Sequence, residues 1–489
     1  MKDVVSIIGV IWGMRIIVNV LSYVQLWWIK EYRFDRMFVH LKTDQGKHIY
    51  ILPFRGFRIS PKTIGLVVLS YIFLAGVYLL LPFHPLIRLV ILDIVTFPVT
   101  AVLIFLVSIP QRLYHRIIIG VAIKKLRAHP NLLVIGITGS YGKTSTKEYV
   151  VTILSQKFQV LKTEASKNSA IGIAEVVLSK LCPDHEIFVV EMGAYKKGEI
   201  AQMVRMTRPQ IGIITAINEQ HQDLFGSIVS TMHAKYELIE GLTGKKIAIL
   251  NADNMYIKEM MRWAQNDKKT VWAYTREQKD QDPYAANMFQ IFQQSQSASG
   301  IAFHLYSGDK KVEVKASIFG IHQVQNVTAA IAAATACGMT LEDAAAGASL
   351  VAPVDRMMKP INGINGSTFI DDTFNNNPEG AIAAIDYLRL SKGKKILVFQ
   401  PMIELGEYAK SAHERVGEHA ARVCEEIILT NKNYFEDFER GVRKASEGKH
   451  TKTLQAVDAA SHIRKTIESG DIVLFKGKEA ARVLTLLTR

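Results

Sequence analysis

Hydrophobic and polar positions divide this chain into two parts of different character. Near the front, apolar residues run on without periodic relief: Ile64 to Leu81 is 18 residues with no charge, and Leu89 to Ile109 is 21 residues interrupted only by Asp93 and by a kink expected at Pro98. Each run is long enough to cross a bilayer as a helix. The short Pro82-Phe-His-Pro85 between them predicts a transmembrane hairpin. Val4 to Trp28 is a third candidate span, with Arg15 near its centre opposing insertion by about 2.5–3.5 kcal/mol. Its apolar stretch is too long for a secretory signal and no small-residue cleavage pattern follows it, so it reads as an anchor. Tyr114 to Leu126 carries apolar and basic residues at helical spacing, which predicts a helix on the membrane surface or a linker helix, ended by Pro130.

From residue 130 the pattern changes to short apolar runs separated by helix-like segments. Leu132 to Ile137, Ile187 to Val190, Ile211 to Ile217 and Lys246 to Leu250 read as strands of a mostly parallel α/β sheet. A second α/β unit begins near Pro360, with strands at Thr368 to Ile370, Ile396 to Phe399, Glu426 to Leu429 and Ile472 to Phe475. The polar, Gln/Ser-rich stretch Gln278 to Asp309 reads as a loop followed by peripheral strands. The expected fold class is therefore α/β: N-terminal transmembrane helices (1–129, spans 4–28, 64–81 and 89–109, basic loop 30–63), a P-loop ATPase domain with a mostly parallel sheet (130–358) and a Rossmann-like C-terminal domain (359–489).

Charge changes this picture in one respect. Of 59 Lys+Arg and 45 Asp+Glu in 489 residues, 16 and 5 fall within residues 1–130, so most of the basic excess sits beside the apolar runs. That placement fits anionic lipid headgroups and the positive-inside rule, and argues against a nucleic-acid partner. Lys30 to Lys62 holds eight basic residues against three acidic, and Gln111 to Arg127 five against none. Both loops are expected on the cytoplasmic side of the cytoplasmic membrane, together with everything after residue 110. Three widely separated cysteines (Cys182, Cys337, Cys424) suggest neither a disulfide framework nor a zinc site.

Chemistry enters after the run Leu132 to Ile137. Thr138-Gly139-Ser140-Tyr-Gly142-Lys143-Thr144-Ser145, followed by a helix expected over Lys147 to Gln156, has the form of a strand, a phosphate-binding loop and a helix. Glycines at 139 and 142 let backbone N–H groups turn toward phosphate oxygens, Lys143 adds a cation, and the Thr144 hydroxyl is placed to ligate magnesium. Only two residues separate the glycines, so this is a shortened variant of the ATP loop. An ordinary Gly-rich turn is the bland alternative, and the Lys-Thr pair in register argues against it.

Further motifs occur in order: Glu191-Met-Gly193, Gly198-Glu-Ile200, His221 before Phe225-Gly-Ser227, Ala234-Lys-Tyr-Glu237, Asn251-Ala-Asp253, His322 with Asn326, Arg356, Asp371-Asp-Thr-Phe-Asn-Asn-Asn-Pro378, Glu404-Leu-Gly406 and Lys476-Gly477. In that order they resemble the Mur ligases, and among them the branch that adds D-alanyl-D-alanine to a UDP-muramoyl tripeptide. The resemblance covers about residues 130 to 489. It implies ATP-dependent amide formation in peptidoglycan precursor synthesis through an acyl phosphate, with ATP and two magnesium ions as cofactors. Its partners would be a muropeptide-type carboxylate, either lipid-linked or UDP-linked, and an amino acid or dipeptide amine.

By the same resemblance Glu191 shares a magnesium ion with Thr144, a role suited to a carboxylate at a strand's C-terminal end. His221 binds the second ion, and Lys235 matches the lysine that becomes a carbamylated metal ligand. Asn326 contacts adenine, Arg356 reaches the γ-phosphate, and Asp372 and Asn375 meet the nucleotide when the C-terminal domain closes. Thr163, Lys167 and Asn168 match a substrate-facing stretch, and Lys476 and Gly477 an element near the amine. The chain departs from the family at Tyr141, Asn218, Gln323, Val354-Asp355 and Gln400-Pro401, none of them a proposed phosphate or metal ligand. The largest departure is at the front, where membrane segments replace the usual uridine-nucleotide domain. An ATP-driven transport component and a catalytically idle scaffold are the alternative readings.

Overall fold

The computed structural model describes residues 2–41, 46, 49, 57–164, 167–218, 225–277, 282–403, 405–446, 448 and 450–488. The chain forms two compact units, Met1–Gly120 and Val121–Arg489.

In the first unit the helices Lys2–Ile29, Pro61–Leu80 and Pro85–Arg127 are each long and apolar enough to cross a membrane. They share an interior of Val20, Val24, Leu66, Leu74, Leu92 and Ile104. Tyr23 and Trp27 both pack on Phe97, with ring centroids 5.3 and 6.2 Å apart. Ser60 and Thr63 cap the second helix reciprocally. The obstacle to the first span, Arg15, has a partner: its Nε lies 2.9 Å from Asp93 Oδ2, and Asn19 Nδ2 donates to Asp93 Oδ1 at 2.7 Å. Two charges that would each oppose insertion thus neutralise one another between two of these helices.

The third helix runs for 43 residues where a span and a separate second helix were expected. Gln111, Arg112 and Leu113 are good helix formers, and Pro110 removes only one backbone N–H, so nothing in that stretch stops the helix. At about 1.5 Å per residue it is roughly twice the thickness of a hydrocarbon core.

The second unit holds two sheets. The first has nine strands: β1 Leu133–Thr138, β2 Val160–Lys162, β3 Ile187–Glu191, β4 Ile211–Ile214, β5 Ile247–Asn251, β6 Thr270–Thr275, β7 Asn287–Ser297, β8 Gly300–Ser307 and β9 Lys310–Ala316, in the order β2-β3-β1-β4-β5-β6-β7-β8-β9. Strands through β7 pair in parallel, and β7, β8 and β9 form an antiparallel extension. The Gln-rich segment is thus strand from Asn287 onward, because Phe289 and Ile291 alternate into the core while glutamines face out. The second sheet has six strands: β10 Lys359–Asn362, β11 Thr368–Asp372, β12 Lys395–Phe399, β13 Glu426–Leu429, β14 Lys452–Thr453 and β15 Ile472–Lys476, ordered β10-β11-β15-β12-β13-β14. Only β10 is antiparallel.

The strand order reverses at β1, which has β3 on one side and β4 on the other. In an open α/β sheet ligands bind at the carboxyl ends of the strands beside such a switch point.

The Arg15–Asp93 clamp between two apolar helices makes a specific prediction. Asp93→Leu removes the carboxylate that Arg15 engages and is expected to destabilise the full-length protein in detergent by about 2 kcal/mol, whereas Arg15→Leu combined with Asp93→Leu recovers most of that loss. Thermal unfolding of the three proteins checks it; a double variant no more stable than Asp93→Leu alone contradicts it.

Candidate active site

The loop after β1 turns through two glycines in the left-handed region, Gly139 at φ +151° and Gly142 at φ +80°. Neither has room for a side chain: a Cβ at 139 would meet Thr215 Oγ1 at 2.1 Å, and one at 142 would meet Asn326 Oδ1 at 2.7 Å. The loop is pinned from β4, since Ser140 N donates to Ala216 O at 2.7 Å and the Thr215 hydroxyl donates to Tyr141 O. Thr138 Oγ1 donates to Met192 O at 2.8 Å, joining the ends of β1 and β3. The following helix spans Lys143–Leu154, four residues earlier than the sequence pattern suggested, because Gly142 serves as its N-cap. Lys143 and Thr144 therefore sit in its first turn, where unpaired N–H groups and the helix dipole favour an anion.

Glu191, the last residue of β3, is buried. Thr144 Oγ1 donates to its Oε2 at 3.0 Å and Asn168 Nδ2 to its Oε1 at 3.2 Å, while its backbone N–H donates to Thr163 Oγ1 at 3.0 Å. A hydroxyl and a carboxylate are hard oxygen donors, and magnesium is characteristically held by one or two such protein groups with phosphates and waters completing its shell. The pair fits that ion. Among the described residues no cluster of three or more His, Cys, Asp or Glu is arranged for a metal, and His221 lies outside the described residues, as does Glu404.

Two lysines converge on the same loop carbonyl. Lys143 Nζ donates to Gly139 O at 2.8 Å and to Ser140 O at 3.2 Å; Lys235 Nζ, from the helix Ile228–Glu240, donates to Gly139 O at 3.1 Å. Burial lowers the pKa of Lys143 against the opposing pull of Glu191. Burial, and then the charge of Lys143, push Lys235 well below the usual lysine range. Glu237 anchors that helix by accepting from Gly198 N at 2.6 Å and Ala201 N at 2.9 Å.

Asn326 lies behind the loop, accepting from Thr146 Oγ1 at 3.3 Å and donating to Gln323 Oε1 at 2.7 Å. Ser145 Oγ reaches Met357 Sδ at 3.4 Å, next to the domain junction. Arg356, at φ +64°, directs its guanidinium to Thr373, with Nε 3.1 Å from Oγ1 and Nη2 3.3 Å from the carbonyl. Asp372 is buried at the end of β11, where Lys476, its neighbour in register on β15, holds its Oδ2 at 2.5 Å. At His322, burial, then the charges of Lys476 and Arg276, lower the pKa to about 4. Asn375 is exposed. The loop residues, Glu191, Lys235 and Asn326 thus form one cluster, while Arg356 and Asp372 bond to C-terminal-domain partners.

Two contributors escaped the sequence reading. Thr215 gave no signal, because it falls within the apolar run Ile211 to Ile217, of which only Ile211–Ile214 is strand. Lys147 gave one: it lies one helical turn beyond Lys143, and its fully buried ammonium lies 3.2 Å from Glu148 and 3.7 Å from Glu191.

A buried amine with no ion-pair partner among the described residues is destabilising, so Lys235→Met is expected to leave the melting temperature unchanged or higher. Lysine is normally protonated in the unfolded chain below its ordinary pKa, so any gain grows as pH falls from about 10 toward neutrality. A melting temperature lowered at neutral pH contradicts this assignment.

Comparison with known proteins places the same residues in one family. The Mur ligase middle domain matches residues 137–334, and the Mur ligase glutamate ligase domain matches 356–479. The UDP-N-acetylmuramoyl-tripeptide–D-alanyl-D-alanine ligase of Escherichia coli is 32% identical over 61% of this chain and 64% of its own length; that of Haemophilus influenzae is 30% identical over 72% and 75%. The crystal structure of MurF from Acinetobacter baumannii superposes with a TM-score of 0.68 at 25% identity, covering 76% of this chain and 80% of that one. The chain belongs to the Mur ligase family of ATP-dependent carbon–nitrogen ligases.

Proposed function

We propose that this protein is a membrane-anchored ligase of peptidoglycan precursor synthesis that phosphorylates a muropeptide-type carboxylate with ATP and joins it to the amine of an amino acid or dipeptide. The observation that carries this reading is the Thr144–Glu191 pair, set at the switch point beside the phosphate loop and Lys143. The names of the relatives, which act with a UDP-muramoyl tripeptide and D-alanyl-D-alanine, support the substrate class.

Thr144 and Glu191 would hold one magnesium ion, and His221 with a carbamylated Lys235 a second; bound magnesium neutralises phosphate oxygens. Thr138, Gly139, Ser140, Gly142 and Ser145 supply the loop that cradles the phosphates, and Lys143 compensates their charge. A substrate carboxylate oxygen attacks the γ-phosphorus, the bond to the β-phosphate oxygen breaks, and ADP leaves. The amine then adds to the acyl carbon and the carbon–oxygen bond to phosphate breaks, releasing inorganic phosphate and a proton. Arg356, freed from Thr373, is suited to neutralise the transferring group. Asn326 serves the adenine side, and Asp372 and Asn375 approach the nucleotide from the C-terminal domain. The depressed pKa of Lys235 favours the neutral amine that carbon dioxide requires to form a carbamate.

The membrane segments give the reading its specificity. Residues before 137 match neither family domain, and they contain three helices fit to span a bilayer. A ligase held at the inner leaflet meets a lipid-linked substrate at raised effective concentration, so we assign the lipid-linked form of the muropeptide as substrate. The basic segments 30–63 and 111–127 orient the catalytic domains toward the cytoplasm, where ATP is available.

Phosphate release by the purified protein should require both a muropeptide carboxylate and an amine, should be faster with lipid-linked than with UDP-linked muropeptide, and should vanish in Lys143→Ala. Equal or better use of the nucleotide-linked form rules out the lipid assignment, and release independent of any amine rules out the ligase. Separately, if Lys235 acts as a carbamate, activity falls in carbon-dioxide-depleted buffer and returns with bicarbonate; indifference to bicarbonate contradicts that role.

A further inference from the structure

Asn218 stands between two elements that a ligase of this type must bring together. Its backbone N–H donates to Ser140 Oγ at 3.2 Å, in the phosphate loop. Its side chain points the other way: Nδ2 donates to Glu379 Oε2 at 3.0 Å, in the first turn of the C-terminal-domain helix Pro378–Tyr387. The second oxygen of Glu379 accepts from Arg415 Nη2 at 2.7 Å, so the carboxylate is oriented from its own domain. Asn218 is buried, with 5% of its surface exposed. The helix that carries Glu379 follows directly on Asp372 to Asn377, and Asn377 caps it by accepting from Gly380 N at 2.8 Å. One short path therefore runs from Ser140 through Asn218 and Glu379 to the segment after Asp372, whose Thr373 binds Arg356.

We propose that the Asn218–Glu379 hydrogen bond is the latch that sets the C-terminal domain against the phosphate loop, making both residues positioning residues for phosphoryl transfer. A neutral amide donating to a carboxylate gives a strong, directional bond without adding charge beside bound phosphates. Opening it separates the Arg356 loop from Ser140 and admits water to the acyl phosphate. The catalytic consequence rests on the ligase reading above; the latch itself does not.

The test is an exchange of donor and acceptor in the full-length, detergent-solubilised protein. Asn218→Asp opposes two carboxylates and is expected to lower kcat about tenfold and lengthen a spectroscopically measured distance between labels on the middle and C-terminal domains. Adding Glu379→Gln lets the new amide donate to the new carboxylate, so the double variant should return to within about twofold of Glu379→Gln alone and recover the short distance. A merely structural role for Asn218 gives no such rescue. If Asn218→Asp does not fold, Asn218→Gly with Glu379→Ala replaces it, and the latch predicts that the double variant is no worse than either single one. The proposal is overturned by a double variant as impaired as Asn218→Asp, by additive losses in the second set, or by unchanged distances throughout. A wild-type protein that shows the expected distance series without ligating anything would overturn the ligase reading and support the latch.

Discussion

The hydrogen bond from Thr144 to Glu191 depends on strand order more than on either residue. Because β1 lies between β3 and β4, the loop leaving β1 crosses the end of β3, and the first turn of the next helix comes within reach of that strand's last side chain. Two left-handed glycines make the crossing tight enough for Lys143 to fold back onto the carbonyls of Gly139 and Ser140. The surrounding contacts then follow as support. Asn168 fixes the carboxylate, Thr163 the backbone that carries it, Thr215 the loop, and Glu237 the helix that delivers Lys235.

Electrostatics in this cluster is arranged for a ligand with charge of its own. Lys143 and Lys235 share one carbonyl oxygen although the charge of Lys143 disfavours that of Lys235, and Lys147 is fully buried near Glu148 and Glu191. Burying amino groups and carboxylates together costs stability unless anions or metal ions take part in the balance. Such a cost is characteristic of sites kept for chemistry rather than for folding.

Much of this was legible in the chain because periodicity and motif spacing are local. Apolar runs gave β1, β3, β5, β12, β13 and β15 nearly to the residue, and the Gly-Lys-Thr register located the glycine turn between β1 and the next helix. Short or half-exposed strands such as β2, β10 and β14 carry too few apolar residues to stand out. Long-range pairing was less accessible: nothing near Arg15 signals that Asp93, 78 residues later, neutralises it, and the bond from Asn218 to Glu379 crosses 161 residues. Arg356 illustrates the remaining gap, since its motif suggests a phosphate contact while its guanidinium here engages Thr373.

Whether the cluster activates a carboxylate by phosphorylation is most directly tested with muropeptide carrying heavy oxygen in its carboxyl group. After ATP-dependent turnover, one labelled oxygen per amide formed should appear in the released inorganic phosphate. Phosphate free of the label, with amide still produced, would contradict the account.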